Sequence, residues 1–105
     1  MRRGEIWWAE LSAPMGARPV VLIARDESYR VRKLVVVATV TTTVWGLPVE
    51  VPLGPEDGLP KRCVVNLDTI LTIEKTQLTK FIAVLSPQKI TAINTALRFA
   101  LAIPS

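Results

Sequence analysis

Leu34-Val35-Val36-Val37-Ala38-Thr39-Val40-Thr41-Thr42-Thr43-Val44-Trp45-Gly46-Leu47-Pro48-Val49 is the longest uncharged run in the chain, at 16 residues. The fold turns on whether it crosses a membrane or forms sheet. It falls short of the roughly 20 apolar residues a membrane helix needs. Val and Thr dominate it, and their β-branched side chains favour strands. Gly46 and Pro48 interrupt it. The run therefore reads as a strand over Leu34–Val40 and another over Pro48–Leu53, joined through Thr42–Gly46.

Upstream, Asp26–Lys33 reads as a polar turn carrying Arg30, Arg32 and Lys33. Before it, Arg18–Arg25 is a strand whose middle, Val20-Val21-Leu22-Ile23, is apolar on both faces. Pro19 holds Arg18 extended and has no N–H for a ladder, so Arg18 is expected at the strand's entrance. Glu5–Leu11 is a first strand between Gly4 and Ser12. Downstream, Gly54–Gly58 is turn chemistry, and Lys61–Leu67 and Leu78–Leu85 read as further strands around a less regular Asp68–Thr76. Ser86 then caps a helix with Pro87 in its first position. Lys89 at the third position precludes a capping box. Ile90, Ile93, Leu97 and Leu101 share one helical face, a core or dimer seam, and Pro104 ends the run. The expected architecture is mostly β, a small barrel-like sheet with a C-terminal amphipathic helix, in a single domain over residues 1–105.

Half of the residues are hydrophobic, enough for a packed core and for surface that a second copy covers. Thirteen Lys and Arg against nine Asp and Glu give a net charge of +4, which suits a polyanion or an acidic protein partner. The single cysteine, Cys63, forbids an intramolecular disulfide and fits a reducing compartment. It lies in an apolar run and reads as a buried strand residue. Arg2 and Arg3 resemble a signal n-region, but Glu5 and Glu10 break what would be its apolar stretch. A cytoplasmic protein with no membrane segment is expected.

The chain has no histidine. Imidazole acid–base pairs and His-based triads are thereby excluded, and a His-ligated zinc site with them. One cysteine makes no thiolate cluster, and no phosphate loop of common spacing occurs. Asp68 and Glu74 are too isolated in sequence to suggest a paired-carboxylate site, although tertiary contacts could still assemble one. If the chain is an enzyme, its chemistry is expected to rest on Arg, Lys, Thr, Ser and backbone donors, and no cofactor or metal is expected. These groups suffice for one reaction class. RNA carries its own nucleophile, the 2′-hydroxyl, so an enzyme need only align the attack and stabilise charge on the phosphoryl oxygens.

Several segments, in order, resemble the MazF/PemK toxins. Met1 to Leu11 is similar to their opening, with a basic residue and Gly-Glu-Ile before a Trp-containing strand. Arg18-Pro19-Val20-Val21-Leu22-Ile23 resembles their Arg-Pro strand. Thr41-Thr42-Thr43 followed by Gly46-Leu47-Pro48-Val49-Glu50-Val51 is similar to their Thr-containing strand end and the next strand. Asp68-Thr69-Ile70, Lys75-Thr76-Gln77-Leu78 and Leu85-Ser86-Pro87 resemble the closing region. The resemblance implies an SH3-like barrel of the CcdB/PemK type. It also implies a homodimer held in check by an acidic MazE-like antitoxin, and metal-independent cleavage of single-stranded RNA to 2′,3′-cyclic phosphate and 5′-hydroxyl ends. By the same resemblance Arg18 and Thr41 match the family's catalytic Arg and Thr. Gly16, Thr42 and Thr43 beside them are RNA-facing candidates, and Trp45, in the loop after the threonines, is a candidate for RNA stacking or a dimer contact.

Two departures bear on rate and cut sequence. The loop before Arg18, Met15-Gly16-Ala17, is shorter than the family's and lacks its Glu. Thr69 and Leu71 stand where the family usually has Gln and Arg. Each candidate also has a plainer role: Arg18 as a strand-edge charge, the threonines as β-formers, Trp45 as a dimer contact. Trp7 and Trp8 point to opposite faces of their strand, one for the core and one free to stack on a base. Two rival functions share the fold class: a CcdB-like gyrase poison, and a member that binds RNA or antitoxin without cutting. The Trp-Gly-Ile that CcdB toxins use on gyrase is not matched by Ala102-Ile103-Pro104-Ser105.

Overall fold

The structure is a computed structural model that describes residues 1–104. Six strands form one antiparallel sheet: β1 (Glu5–Glu10), β2 (Ala17–Leu22), β3 (Leu34–Thr41), β4 (Glu50–Leu53), β5 (Cys63–Glu74) and β6 (Leu78–Val84). Their order across the sheet is β4-β5-β3-β2-β1-β6. The alternation expected of Val20-Val21-Leu22 is realised, with buried apolar side chains on both faces. Val21, Ala38 and Val40 join Ile6, Val65 and Leu67 in one cluster, beneath the C-terminal helix. Val20, Leu22, Val35 and Val37 pack on the other face with Tyr29 and Ile73. Burial on both sides explains why these strands carry near-continuous apolar runs.

The sheet curls into a half-barrel that brings the connection after β4 against β6 at the opposite edge. Gly58, in the β4–β5 connection, lies so close to β6 that a Cβ there would stand 2.8 Å from the Ala83 Cβ. Its φ of +88° is also the left-handed region where glycine is favoured.

The C-terminal helix, here α2 (Pro87–Ala100), follows the expected rules. The Ser86 Oγ accepts from the Lys89 N–H at 3.2 Å, and Pro87 occupies the first turn. Ile93 and Ala96 are buried, with Ile90 and Leu97 packed beside them. Leu101, counted in the apolar face, lies past the helix end and is exposed. The helix closes when Ala102 turns to a φ of 56° and the Ile103 N–H reaches the Arg98 carbonyl at 2.8 Å.

Two expectations need correction. Asp26–Lys33 is not simply a polar turn, since Asp26–Val31 is a short helix, α1. Its N-cap residue, Arg25, makes no side-chain cap, so the turn is held by distant contacts. The Asp26 Oδ1 accepts from the Arg3 N–H at 2.7 Å, and the Lys75 ammonium donates to the Tyr29 carbonyl at 2.8 Å. The buried Tyr29 hydroxyl accepts from the Ala24 N–H and donates to the Val36 carbonyl. Asp68–Thr76 is also more regular than expected, because β5 runs to Glu74 along the full length of β3, and only Lys75 and Thr76 leave the strand, in a 3-10 turn over Lys75–Gln77. Within β5 the irregularity is a bulge, where partners jump from Ala38–Ile70 to Thr39–Asn66. The Asp68 N–H is satisfied there by the Asn66 side chain at 2.8 Å. β2 also ends at Leu22, earlier than its apolar run, and β4 starts at Glu50, after Pro48.

Candidate functional site

Strand pairing brings Arg18 and Thr41 to the same end of the β2–β3 pair. β2 and β3 are joined at Val20–Thr39, Val21–Ala38 and Leu22–Val37. Continuing that register two residues past Val20 brings Arg18 level with Thr41. Pro19, with no N–H to donate, stays opposite Trp8 of β1 but lies just beyond the last β2–β3 pair, and Arg18 is the second residue of β2, close to its entrance as expected.

Both residues line a groove of about 740 Å³. Lys61, Pro60 and Leu59 reach it from the β4–β5 connection, Lys80 and Phe81 from β6, and Trp8 from β1. The packing of Gly58 against Ala83 sets these opposite ends of the sheet side by side. Arg18, Lys61 and Lys80 are the charged residues of the lining, and no carboxylate is among them. A cationic groove with apolar and aromatic walls suits a backbone of phosphates bearing flat bases.

The Arg18 guanidinium donates from Nε and Nη2 to the Met15 carbonyl at 3.0 and 2.7 Å. The short β1–β2 loop thus supplies a main-chain acceptor that fixes the guanidinium while using two of its five N–H donors. The Thr41 Oγ1 accepts from the Thr43 N–H at 3.2 Å, which leaves its own proton to donate. Thr42 also lines the groove. Gly16, Thr43 and Trp45 do not. Gly16 sits beside Met15 in the β1–β2 loop. Trp45 is 72% exposed on the loop after β3.

That loop is held from below. The carboxylate of Glu50, itself buried, accepts from three successive backbone N–H groups. The distances to Oε1 are 3.1 Å from Trp45, 2.8 Å from Gly46 and 3.2 Å from Leu47.

Of the two neighbouring tryptophans, Trp7 packs at the margin of the second core cluster, edge-on to Phe81 at 5.9 Å, while Trp8 faces the groove. Cys63 is buried as expected. Burial pushes its thiol above the usual range, and the Asp57 and Glu56 carboxylates add to the effect, which favours the neutral thiol although Cys63 is among the residues lining the groove. Arg25, Arg30, Arg32 and Lys33 are all exposed, as a solvated face would be. Among the described residues no three His, Cys, Asp or Glu side chains converge where they could hold a metal ion. Lys61, Lys80, Phe81 and Glu50 carry no local sequence signal. Tertiary closure of the sheet alone gathers the first three.

A curled antiparallel sheet with a cationic, carboxylate-free groove defines a small β-protein suited to a polyanionic chain. Residues 2–101 match the family of PemK-like, MazF-like toxins of type II toxin–antitoxin systems, and the chain belongs to that family. It is 40% identical over 99 residues to a probable endoribonuclease, MazF5, of Mycobacterium tuberculosis, covering 93% of this chain and 90% of that protein. The solved structure of the Mycobacterium tuberculosis toxin MazF-mt6 superposes with a TM-score of 0.89 at 33% identity, covering 96% of this chain and 99% of that one. A mycobacterial endoribonuclease in complex with its cognate antitoxin gives a TM-score of 0.88 at 32% identity, covering 100% and 98%.

Proposed function

We propose that this chain is the toxin of a toxin–antitoxin pair and an endoribonuclease that cuts single-stranded RNA, with Arg18 and Thr41 at the reacting phosphate. The observation that carries the reading is the groove in which those two residues stand beside Lys61 and Lys80, free of carboxylates. The RNA 2′-hydroxyl attacks the adjacent phosphorus, a new O–P bond forms, and the bond to the 5′-oxygen breaks. The 2′-hydroxyl proton passes to solvent, and the departing oxygen takes one from water. The products are a 2′,3′-cyclic phosphate and a 5′-hydroxyl. An Arg side chain remains protonated at ordinary pH, so Arg18 stabilises charge on the phosphoryl oxygens and is not a base. Thr41 donates its proton to one of those oxygens. DNA lacks the 2′-hydroxyl and is not cut.

Thr42 lines the same groove and Thr43 and Gly16 flank it, all three as RNA contacts. The working unit is a homodimer in the cytoplasm, and exposed Val84, Phe99, Leu101 and Ile103 supply apolar surface for pairing. An acidic antitoxin suits the cationic groove, and the relative solved with its cognate antitoxin supports such a partner.

The test is incubation of purified protein with single-stranded RNA in excess chelator, followed by mapping of the new 5′ ends. Fragments with 5′-hydroxyl ends are expected from the wild type and none from Arg18→Ala. Cutting by Arg18→Ala at the wild-type rate would sink the site assignment.

A further inference from the structure

The buried carboxylate of Glu50 has no place in the chemistry above, yet it organises the loop that leaves the groove. Thr41 and Thr42 line the groove, and the chain then runs directly into the exposed segment Val44–Leu47. Exposed loops of this kind are ordinarily mobile. Here three consecutive backbone N–H groups converge on one carboxylate, and the Leu47 carbonyl accepts the Glu50 N–H at 3.0 Å. Charge-assisted bonds to a buried acceptor are the strong kind. Gly46, at a φ of +73°, permits the turn that aims successive N–H groups at one point. The result is a large indole held out in solvent on a fixed backbone. Such an arrangement is costly for an isolated monomer and useful for stacking on a flat ligand.

We propose that Glu50 is a positioning residue for RNA binding: by pinning the backbone of Trp45–Leu47 it presents the Trp45 indole as a stacking platform for a nucleobase of the strand lying in the groove. This rests on the ribonuclease reading and adds a subsite to it.

The experiment uses a single-stranded oligonucleotide of a cleaved sequence with a 2′-deoxy sugar at the scissile position, so that affinity is read without cutting. Steady-state cleavage of the matching RNA is measured beside it. Trp45→Ala is expected to weaken binding about tenfold and to raise KM with kcat little changed. Trp45→Phe, which keeps a π-face, recovers most of the affinity. The Trp45 N–H also reaches Glu50 Oε2 at 3.1 Å. Glu50→Gln, which puts an amide in place of that oxygen and removes the charge, weakens binding severalfold in the wild-type background and has no further effect in Trp45→Ala. That non-additivity separates positioning from a general loss of stability, which would act equally in both backgrounds. Independent, additive losses would overturn the proposal, as would unchanged affinity in Trp45→Ala. Loss of self-association or of antitoxin binding in Trp45→Ala, with RNA affinity intact, would overturn it in favour of a protein contact. A wild type that neither binds nor cuts overturns the ribonuclease reading as well, whereas one that cuts normally with Trp45 dispensable overturns only this inference.

Discussion

The guanidinium of Arg18 holds the carbonyl oxygen of Met15 from two nitrogens at once, Nε at 3.0 Å and Nη2 at 2.7 Å. The geometry needs a planar fork, which lysine lacks. Arg18→Lys should therefore keep the charge but lose its orientation. Cleavage is expected to fall about 100-fold or more, the scale for loss of one charge-stabilising donor. Circular dichroism should be unchanged, since the residue is only half-buried. Single-turnover kinetics on a defined oligonucleotide reads the effect, and near-normal cleavage by the lysine variant would contradict it.

Thr41 separates hydroxyl chemistry from strand structure. Thr41→Val keeps the β-branched shape but removes both the hydroxyl proton that the proposed mechanism offers to the phosphate and the acceptor for the Thr43 N–H. Its rate is expected to drop by about 10- to 100-fold, whereas Thr41→Ser retains most activity. Equal rates for the two variants would show that the hydroxyl takes no part.

Lys61 and Lys80 bring the remaining positive charge of the groove from opposite ends of the sheet. Each should neutralise about one phosphate. For single strands, log K falls with log salt by about 0.7 per neutralised phosphate. Replacing either lysine by alanine should weaken RNA binding and flatten the slope by about that amount, without changing which sequence is bound. A salt titration by fluorescence anisotropy measures both.

Alkaline pH should destabilise the protein through Cys63 and Tyr29. Burial is the first cause of the upward shift in each. In the unfolded chain they ionise near their ordinary values, about 9 and about 10. The folded state holds both protons to higher pH, so the unfolded state binds fewer. Stability is then complete below about pH 9 and falls as pH rises toward the raised folded values. The urea midpoint followed from pH 7 to 11 should show the decline, and Cys63→Ala and Tyr29→Phe should each flatten part of it. Native Cys63 should also react slowly with iodoacetamide at pH 8 and quickly once unfolded.

Gly58 couples stability to the groove. Any side chain there meets Ala83 at 2.8 Å and must also adopt a φ of +88°. Gly58→Ala is expected to cost about 1–3 kcal/mol from backbone strain alone, seen as a lowered Tm. It should also lower RNA affinity at temperatures where the variant is still folded, because Leu59–Lys61 must move away from β6.

What the sequence determined by itself is whatever short-range chemistry decides. Apolar alternation and β-branching mark β1, β3 and most of β2 and β4, and Ser86-Pro87 with the Ile90–Leu97 spacing marks α2. Each signal lies within one element, where propensity and capping act directly. The absence of histidine likewise limits the chemistry whatever the fold. No spacing in the chain links Arg18 to Thr41; only the family resemblance spread along it points to the two together. Tertiary structure decided the rest. Asp26–Val31 turns into helix because Arg3, Lys75 and the buried Tyr29 hold it, and Asp68–Glu74 becomes strand because β3 offers a full-length partner. Lys61 and Lys80 share the groove of Arg18 only because the sheet closes at Gly58. Glu50 fixes Trp45 only because β4 places its carboxylate beneath three N–H groups. A groove built from the far ends of a curled sheet joins residues distant in the chain, and no local pattern records that closure.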